Sequence, residues 1–365
     1  MLLTSTNLIH YLISRGLIGP EVVVDGPLEI VDFVRRNRNF KVLLGDAPGL
    51  FLKQLPERVE SPAGGPSREL ACHRLARSRP EYAALFRLMP RFRNHDPDRR
   101  VLTVELFHPG EDLRERQDRL GPMTESLAAS LGQSLGRLHG LEPVLAARPD
   151  DRAGFPATRP WLLDALRDVE ALSREFNPAQ RDLLATIIQS PELTYGLEGL
   201  RNAWKPTTLI HGDLKRDNIM ILTHNGPSAE PRFIDWELAD IGDPAWDVAG
   251  LLLTCMEIEL TRASHEDPEE DDQVLKPARA NLTACWKAYL RTLRLSPDRE
   301  ATYRVRCIHY LGAKLLLYAV ELLGSQPEAT PTTRLVTRMA RSIMIDPSGV
   351  ADGLLGSDRP AVAIN

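Results

Sequence analysis

The sequence predicts an α+β protein of two lobes: an N-terminal antiparallel β-rich lobe carrying one key helix, and a larger, mostly helical C-terminal lobe. Three observations lead there. The chain has 365 residues, more than one hydrophobic core usually serves. Strand-type segments crowd residues 28 to 107, whereas helix-period segments fill the chain from Thr124 onward. Within that helical part a polar cluster, "HGDLKRDN" at 211–218, sits between the apolar ends "LI" and "IMIL", and burying unpaired charge is costly.

The elements follow in order. Residues 4 to 17 read as a short amphipathic helix with Thr4, Ser5 and Thr6 as candidate caps. "LEIVDFVRR", "NFKVLLG" and "LFLKQL" are short, rich in β-formers and divided by the turn chemistry of "NRN" and "DAPG", which predicts an antiparallel three-stranded meander. "PERVESPAGGPS" is a polar loop. A helix with Ser67 as its cap is expected over "SRELACHRLARS". "LFRLMPRF" and "RVLTVELF" read as two more strands joined by the turn "RNHDPD", closing a first lobe over 1–107. The second lobe, 108–345, is read as helices over "TESLAASLGQSLGRLHGL", "PWLLDALRDVEALSREF", "AQRDLLATIIQS" and stretches near 244–260, 277–295, 300–323 and 331–344. Only "NIMIL" and "PRFID" interrupt it, as a hairpin, and 346–365 is expected to be a loose tail.

Composition narrows the function classes. Hydrophobic residues make up 43% and charged residues 26%, as in an ordinary globular protein. A net charge of −5 lacks the basic excess of a dedicated nucleic-acid binder. Cys72, Cys255, Cys285 and Cys307 form no metal-binding spacing. The amino terminus has no signal-peptide pattern, and no run reaches the roughly 18 consecutive apolar residues of a membrane span. A cytoplasmic enzyme with no nucleic-acid or membrane partner is expected.

The chemistry lies in H-G-D-x-x-x-x-N, a hairpin, and then an apolar strand ending in Asp235. Asp213, Asn218 and Asp235 are three oxygen donors that the hairpin would gather at its open end. Phosphoryl transfer needs one carboxylate to take an acceptor hydroxyl's proton, and an amide and a second carboxylate to hold Mg²⁺ on the phosphates. Each residue alone has a bland reading, as a turn Asp or a loop amide. Together, in order and between apolar strands, they favour the functional one.

At these residues the chain resembles the aminoglycoside phosphotransferase and choline kinase family, relatives of the protein kinases, over about residues 25 to 320. "HGDLKRDN" and "IDWE" match its motifs. The resemblance implies a protein-kinase-like fold, ATP and Mg²⁺ as cofactors, Asp213 as catalytic base, and Asn218 and Asp235 as metal ligands. Asp247 in "GDPAWDVAG" matches a position that braces the catalytic loop; its alternative is a helix N-terminal carboxylate favoured by the dipole. Lys53 in "LFLKQL", with Phe51 and Leu55 on its face, matches the lysine that contacts the α and β phosphates. Glu69 is the candidate to pair with it, and backbone groups of Glu105 to Phe107 would meet adenine.

Departures bear on the finer expectations. No G-x-G-x-x-G precedes Lys53; Asn37 and Asn39 in "RRNRNF" are expected to take the turn conformations instead, and Arg36 or Arg38 either reaches phosphate or stays solvated. ATP is expected rather than GTP. Gly212 stands where a protein kinase has Arg and no A-P-E follows, so an enzyme active without phosphorylation is expected. The acceptor stays open between a small-molecule hydroxyl and the Ser/Thr hydroxyls of a ribosomal peptide processed with a partner lyase. A non-catalytic scaffold ranks last, since Lys53, Asp213, Asn218 and Asp235 are all present. The acidic run "SHEDPEEDDQ" at 264–273 would attract a cationic acceptor or be a solvated loop. The arginines between 74 and 100 would dock an acidic leader peptide or cover solvated faces. Lys215 is a candidate to touch the γ-phosphate; Arg216 and Asp217 are read as solvated or locally paired.

Overall fold

The structure, a computed structural model, describes every residue except 1, 25, 35–37, 46, 56–67, 108–109, 168, 223–229, 264–273, 325, 327 and 357–365. Expectations for Arg36, Asn37, Ser67 and the acidic run 264–273 lie outside the described residues.

The chain begins with α1 (Ser5–Ser14), whose cap is Thr4 in a reciprocal capping box with Asn7. After a short α2 (Pro20–Val24) come β1 (Leu28–Val34), β2 (Arg38–Leu44) and β3 (Ala47–Gln54), antiparallel as expected. Then follow α3 (Arg68–Ser78), α4 (Ala83–Leu88), β4 (Phe92–Asp96), β5 (Val101–Glu105) and β6 (Gly110–Asp112). The structure departs here from the two strands expected. The first part of "LFRLMPRF" is helix, with Leu85 and Leu88 buried one turn apart. It ends at Met89, which is extended because the residue before a proline is pushed out of the helical region. The strand therefore starts at Phe92 and takes in most of what was read as a turn.

Helices α5 (Leu113–Leu120), α6 (Glu125–His139), α7 (Glu142–Ala147), α8 (Trp161–Asp164), α9 (Val169–Glu175), α10 (Pro178–Gln189) and α11 (Pro191–Ala203) come next. The helix expected over 160–176 is broken into α8, a 3₁₀ turn and α9. Leu162, Leu163 and Ala165 are all buried, and near-consecutive positions cannot share one face of a straight helix. Four short strands follow: β7 (Thr208–Ile210), β8 (Ile219–Leu222), β9 (Glu230–Phe233) and β10 (Asp240–Gly242). Long helices finish the chain: α12 (Pro244–Arg262), α13 (Arg279–Leu293), α14 (Pro297–Gly324), α15 (Pro331–Ile345) and α16 (Pro347–Leu355). The last of these corrects the expected loose tail. Ala351, Leu354 and Leu355 are buried in it, and 357–365 lie outside the described residues. By length and composition α14 could cross a membrane, but 67% of its most apolar window is buried inside the protein, which accounts for that apolarity.

Contacts divide the chain into two units, 1–113 with 218–237, and 114–217 with 238–365. The hairpin β8–β9 thus groups with the first unit, not the helical one as read from sequence. The reason is strand pairing: β6 adds to its edge, giving the sheet β6-β8-β9.

In the first unit a five-stranded antiparallel sheet runs β1-β2-β3-β5-β4. Strand alternation divides its two faces. Phe40, Val42, Leu50, Leu52 and Val101 pack with Leu8, Tyr11 and Leu12 of α1; fully burying each such side chain is worth about 1.5–3 kcal/mol. Leu102 and Val104 pack with Leu70 of α3 and with Phe51 and Phe92. Lys53, in register with Leu102, shares the α3 side. In the second unit α6 and α13 pack closely, α14 contributes a buried apolar face including Leu311, Leu315 and Leu316, and the small sheet β7–β10 carries the polar cluster.

Candidate active site

Within the first unit, the side-chain alternation of β3 delivers the Lys53 ammonium to three carboxylates. It lies 3.1 Å from Glu69 Oε2, 2.5 Å from Asp235 Oδ1 and 2.8 Å from Glu237 Oε2. Lys53 and Glu69 are 6% and 7% exposed, a burial that unpaired charges would not tolerate. Burial alone would lower the lysine's pKa, but attraction to Glu69, then Asp235 and Glu237, outweighs it and holds it raised. Burial raises the Glu69 carboxyl, with Lys53 opposing. The structure thus brings Lys53, Glu69 and Asp235 together. Glu237, two residues beyond Asp235, was not singled out from sequence, although the "IDWE" motif contains it.

Asp235 holds a left-handed backbone conformation, φ 62°, uncommon outside glycine but tolerated by Asp. The β8–β9 register pairs Ile219 with Phe233, and one step further the Ile234 amide donates to the Asn218 carbonyl at 3.0 Å. Asn218, 5% exposed, therefore lies across the hairpin from the residue preceding Asp235. Among the described residues no group of three or more His, Cys, Asp or Glu is arranged to hold a metal ion. An amide oxygen and one carboxylate are nonetheless the hard donors that suit Mg²⁺, which keeps several waters. Three carboxylates around one ammonium leave an excess of negative charge that a cation would relieve. The donor set fits the metal.

The three residues expected at adenine are more constrained than their sequence suggested. The Glu105 amide donates to the Arg91 carbonyl at 2.7 Å and the Leu106 amide to Gly49 at 2.8 Å, so both serve the sheet. The Glu105 carboxylate takes Arg93 at 2.8 Å. Part of the arginine-rich region is likewise engaged within this unit: the Arg77 guanidinium lies 4.1 Å from the Phe92 ring centroid, and Arg99 pairs with Asp96 at 3.7 Å.

Asp213 belongs to the second unit. The loop leading to it is held from α12, whose N-terminal cap is Asp243. Asp247, fully buried in the first turn, accepts the His211 amide at 2.6 Å and the Gly212 amide at 2.9 Å. It does brace the loop, and it also sits where a helix dipole favours a carboxylate. Burial would raise its pKa, but the hydrogen bond and charge of His139, with His211, hold it lowered. Behind it a polar chain crosses the helices: Tyr303 hydroxyl to Tyr289 hydroxyl at 2.9 Å, Tyr289 to His139 Nδ1 at 2.9 Å, and His139 Nε2 to Asp247 at 3.5 Å. A carboxylate only accepts, so it is His139 Nε2–H that donates to Asp247.

Gly212 has φ 84°, and a Cβ there would lie 2.4 Å from the Leu238 carbonyl oxygen. Both observations favour glycine at this position. The Gly212 carbonyl accepts the Trp246 indole N–H at 2.8 Å and the Lys314 ammonium at 3.3 Å. Asp213 pairs with Lys215 at 3.0 Å. Burial would raise the Asp213 pKa, but Lys215 and then Lys314 hold it below the usual carboxylate range.

Arg216 and Asp217 are paired rather than solvated. Arg216 is 3% exposed and donates to Glu257 of α12 at 2.8 Å. Asp217 takes a two-pronged contact from Arg114 of α5, at 2.7 Å and 2.7 Å. These partners lie 41 and 103 residues away in sequence, beyond what local spacing signals. Lys314 was missed for the same reason: a lone lysine in an apolar helix reads as a solvated charge.

A family model described as the Phosphotransferase enzyme family matches residues 34–277. Among solved structures, a choline/ethanolamine kinase family protein from Mesorhizobium loti is 16% identical, with 97% of this chain and 100% of that one covered and a TM-score of 0.54. The Plasmodium vivax ethanolamine kinase is also 16% identical, covering 95% and 91%, with a TM-score of 0.55. At that identity the likeness is one of fold, protein-kinase-like and α+β. No curated protein matches the chain. Because the family model spans well over half of its length and contains every motif residue named above, the chain belongs to the Phosphotransferase enzyme family.

Proposed function

We propose that this phosphotransferase moves the γ-phosphate of ATP, with Mg²⁺, to a hydroxyl of a small molecule, with Asp213 as the base. The observation that carries the reading is the Lys53 ammonium held by Glu69 and Asp235, residues 16 and 182 positions away. A kinase-type nucleotide site requires that lysine, its glutamate and that aspartate to be in place.

In the transfer, the acceptor hydroxyl gives its proton to the Asp213 carboxylate as its oxygen bonds to the γ-phosphorus. The bond from that phosphorus to the bridging oxygen breaks, and ADP leaves with the electron pair. Asp213 needs no raised pKa for this, since positioning and charge neutralisation dominate a loose transition state. Lys53, steered by Glu69, would contact the α and β phosphates, and Lys215 would turn from Asp213 to the γ-phosphate. Asn218 and Asp235 would hold Mg²⁺, which when bound supplies charge neutralisation on the phosphates. Of the three amides expected at adenine, Phe107 is the remaining donor, because Glu105 and Leu106 are held within the sheet.

A small-molecule acceptor is supported by the family match and by the structural neighbours, named as choline/ethanolamine and ethanolamine kinases. The test is Mg·ATP turnover against ethanolamine, choline, aminoglycosides, sugars and a Ser/Thr-rich peptide. Phosphorylation of one small molecule, abolished by Asp213→Asn while calorimetry shows retained nucleotide binding, is the expected result. Phosphorylation of the peptide alone would overturn the acceptor class. No ATP binding and no phosphorylated product would overturn the reading itself.

A further inference from the structure

Lys314 stands out because nothing in the family motif or the proposed reaction uses it. It lies mid-way along α14 among Leu311, Ala313, Leu315 and Leu316, all fully buried, and is itself 4% exposed. A lysine in an apolar helix usually carries its ammonium out to water. This one runs inward. Its Nζ lies 3.3 Å from the Gly212 carbonyl oxygen and 4.1 Å from the centroid of the Trp246 ring. Gly250 of α12 leaves room for the approach: a Cβ there would come within 2.9 Å of the Leu214 carbonyl and 3.5 Å of Lys314 Nζ.

The charged groups that face it come from three elements. The catalytic loop supplies Asp213 and Lys215, α12 supplies Asp247, and Glu321 lies two turns further along α14. Burial lowers the lysine's pKa, the three carboxylates oppose it and Lys215 reinforces it. Asp213 and Asp247 thus share the field of one buried cation, whereas Lys215, paired with Asp213 at 3.0 Å and with Glu321 at 3.8 Å, is more than a third exposed.

We propose that Lys314 is a positioning residue for phosphoryl transfer: its ammonium fixes the left-handed Gly212 peptide and supplies a permanent counter-charge to Asp213 once Lys215 is drawn to phosphate. The aspartate is thereby kept ionised, and so able to accept the hydroxyl proton, throughout turnover. The more exposed Lys215 can then serve the phosphate without costing the base its charge. The inference rests on the reading of Asp213 as the base.

The test uses the full-length protein and three replacements. Lys314→Arg keeps the charge, Lys314→Gln keeps an N–H donor for Gly212, and Lys314→Met keeps neither. With Mg·ATP and the best acceptor of the panel, or water as acceptor, the acidic limb of kcat should move up by about one pH unit in the Gln and Met proteins. The Arg protein should stay near wild type, and KM for ATP should change less than about twofold in all three, because the contacts altered are to the base and its loop rather than to the nucleotide. Gln and Met proteins with the wild-type pH profile would overturn the proposal and leave Lys314 a structural residue. A second measurement needs no acceptor. In a double-mutant cycle read by urea unfolding at pH 7, Lys314→Gln should lower the midpoint more in the parent than in the Asp213→Asn background; equal shifts would mean no coupling and would also overturn it. If the cycle shows coupling while Asp213→Asn still turns over, the base assignment fails instead.

Discussion

Asp247 Oδ2 accepts the His211 backbone amide at 2.6 Å, so a side chain of α12 closes the turn that presents Asp213. Its other oxygen takes Gly212 at 2.9 Å. Asp247→Asn turns one of these oxygens into an NH₂ that faces a donor. Leaving one buried amide unmet should cost about 1–3 kcal/mol. The loss should be visible as a lower urea midpoint, with kcat falling more than KM for ATP rises.

Gly212→Ala meets two obstacles, the positive φ and the Leu238 carbonyl oxygen. Left-handed backbone alone costs a non-glycine residue roughly 1–2 kcal/mol, and a carbonyl that has to move adds to it. Expression with a reduced melting temperature and strongly reduced turnover is expected. Wild-type values for both would show that the loop adapts easily.

Lys53→Met removes the ammonium that neutralises buried Glu69. Breaking a buried pair from one side costs roughly 3–5 kcal/mol. The Glu69 pKa is already raised by burial, so its contribution to stability is present below the unfolded carboxyl value and is lost as pH rises through the folded one. The variant's deficit should therefore be large at pH 7 and shrink below about pH 5. Urea unfolding across that range checks it, alongside the loss of ATP binding.

His73 gives a pH effect of opposite sense. Burial first, then Arg77, pushes its pKa from 6.5 down to about 4, and its Nε2 has no hydrogen-bond partner among the described residues. A depressed folded value means stability that is present above pH 6.5 and is lost as pH falls toward 4. The depression corresponds to roughly 3 kcal/mol at about 1.4 per unit. His73→Leu should flatten the stability profile over that interval relative to wild type. His95 and His309, also lowered by burial, keep their share.

What could be read from sequence was what has a short period or a fixed spacing. The meander β1–β3, the α3 helix, and Asp213 and Asn218 on one loop follow from alternation, helical period and the motif, and Lys53 facing Glu69 from the family resemblance. What could not be read depends on partners far along the chain. Arg114 meeting Asp217, Glu257 meeting Arg216, and Lys314 meeting Gly212 have no local signature. Helix α4 was mistaken for a strand because six residues give too little period to outweigh β-forming Phe and Leu. The edge strand β6 escaped notice because "GED" has no strand propensity and exists only by pairing with β8.

The chain of hydroxyls and imidazole from Tyr303 to Asp247 ties four helices, α14, α13, α6 and α12, to one turn of backbone. Removing either hydroxyl shortens that chain, and losing Tyr289 takes away the Nδ1 partner that orients His139 toward Asp247. A genetic screen for lost activity should then recover changes at Tyr289 and Tyr303, some 75 to 90 positions after the base in sequence, and score them as active-site lesions though neither touches substrate.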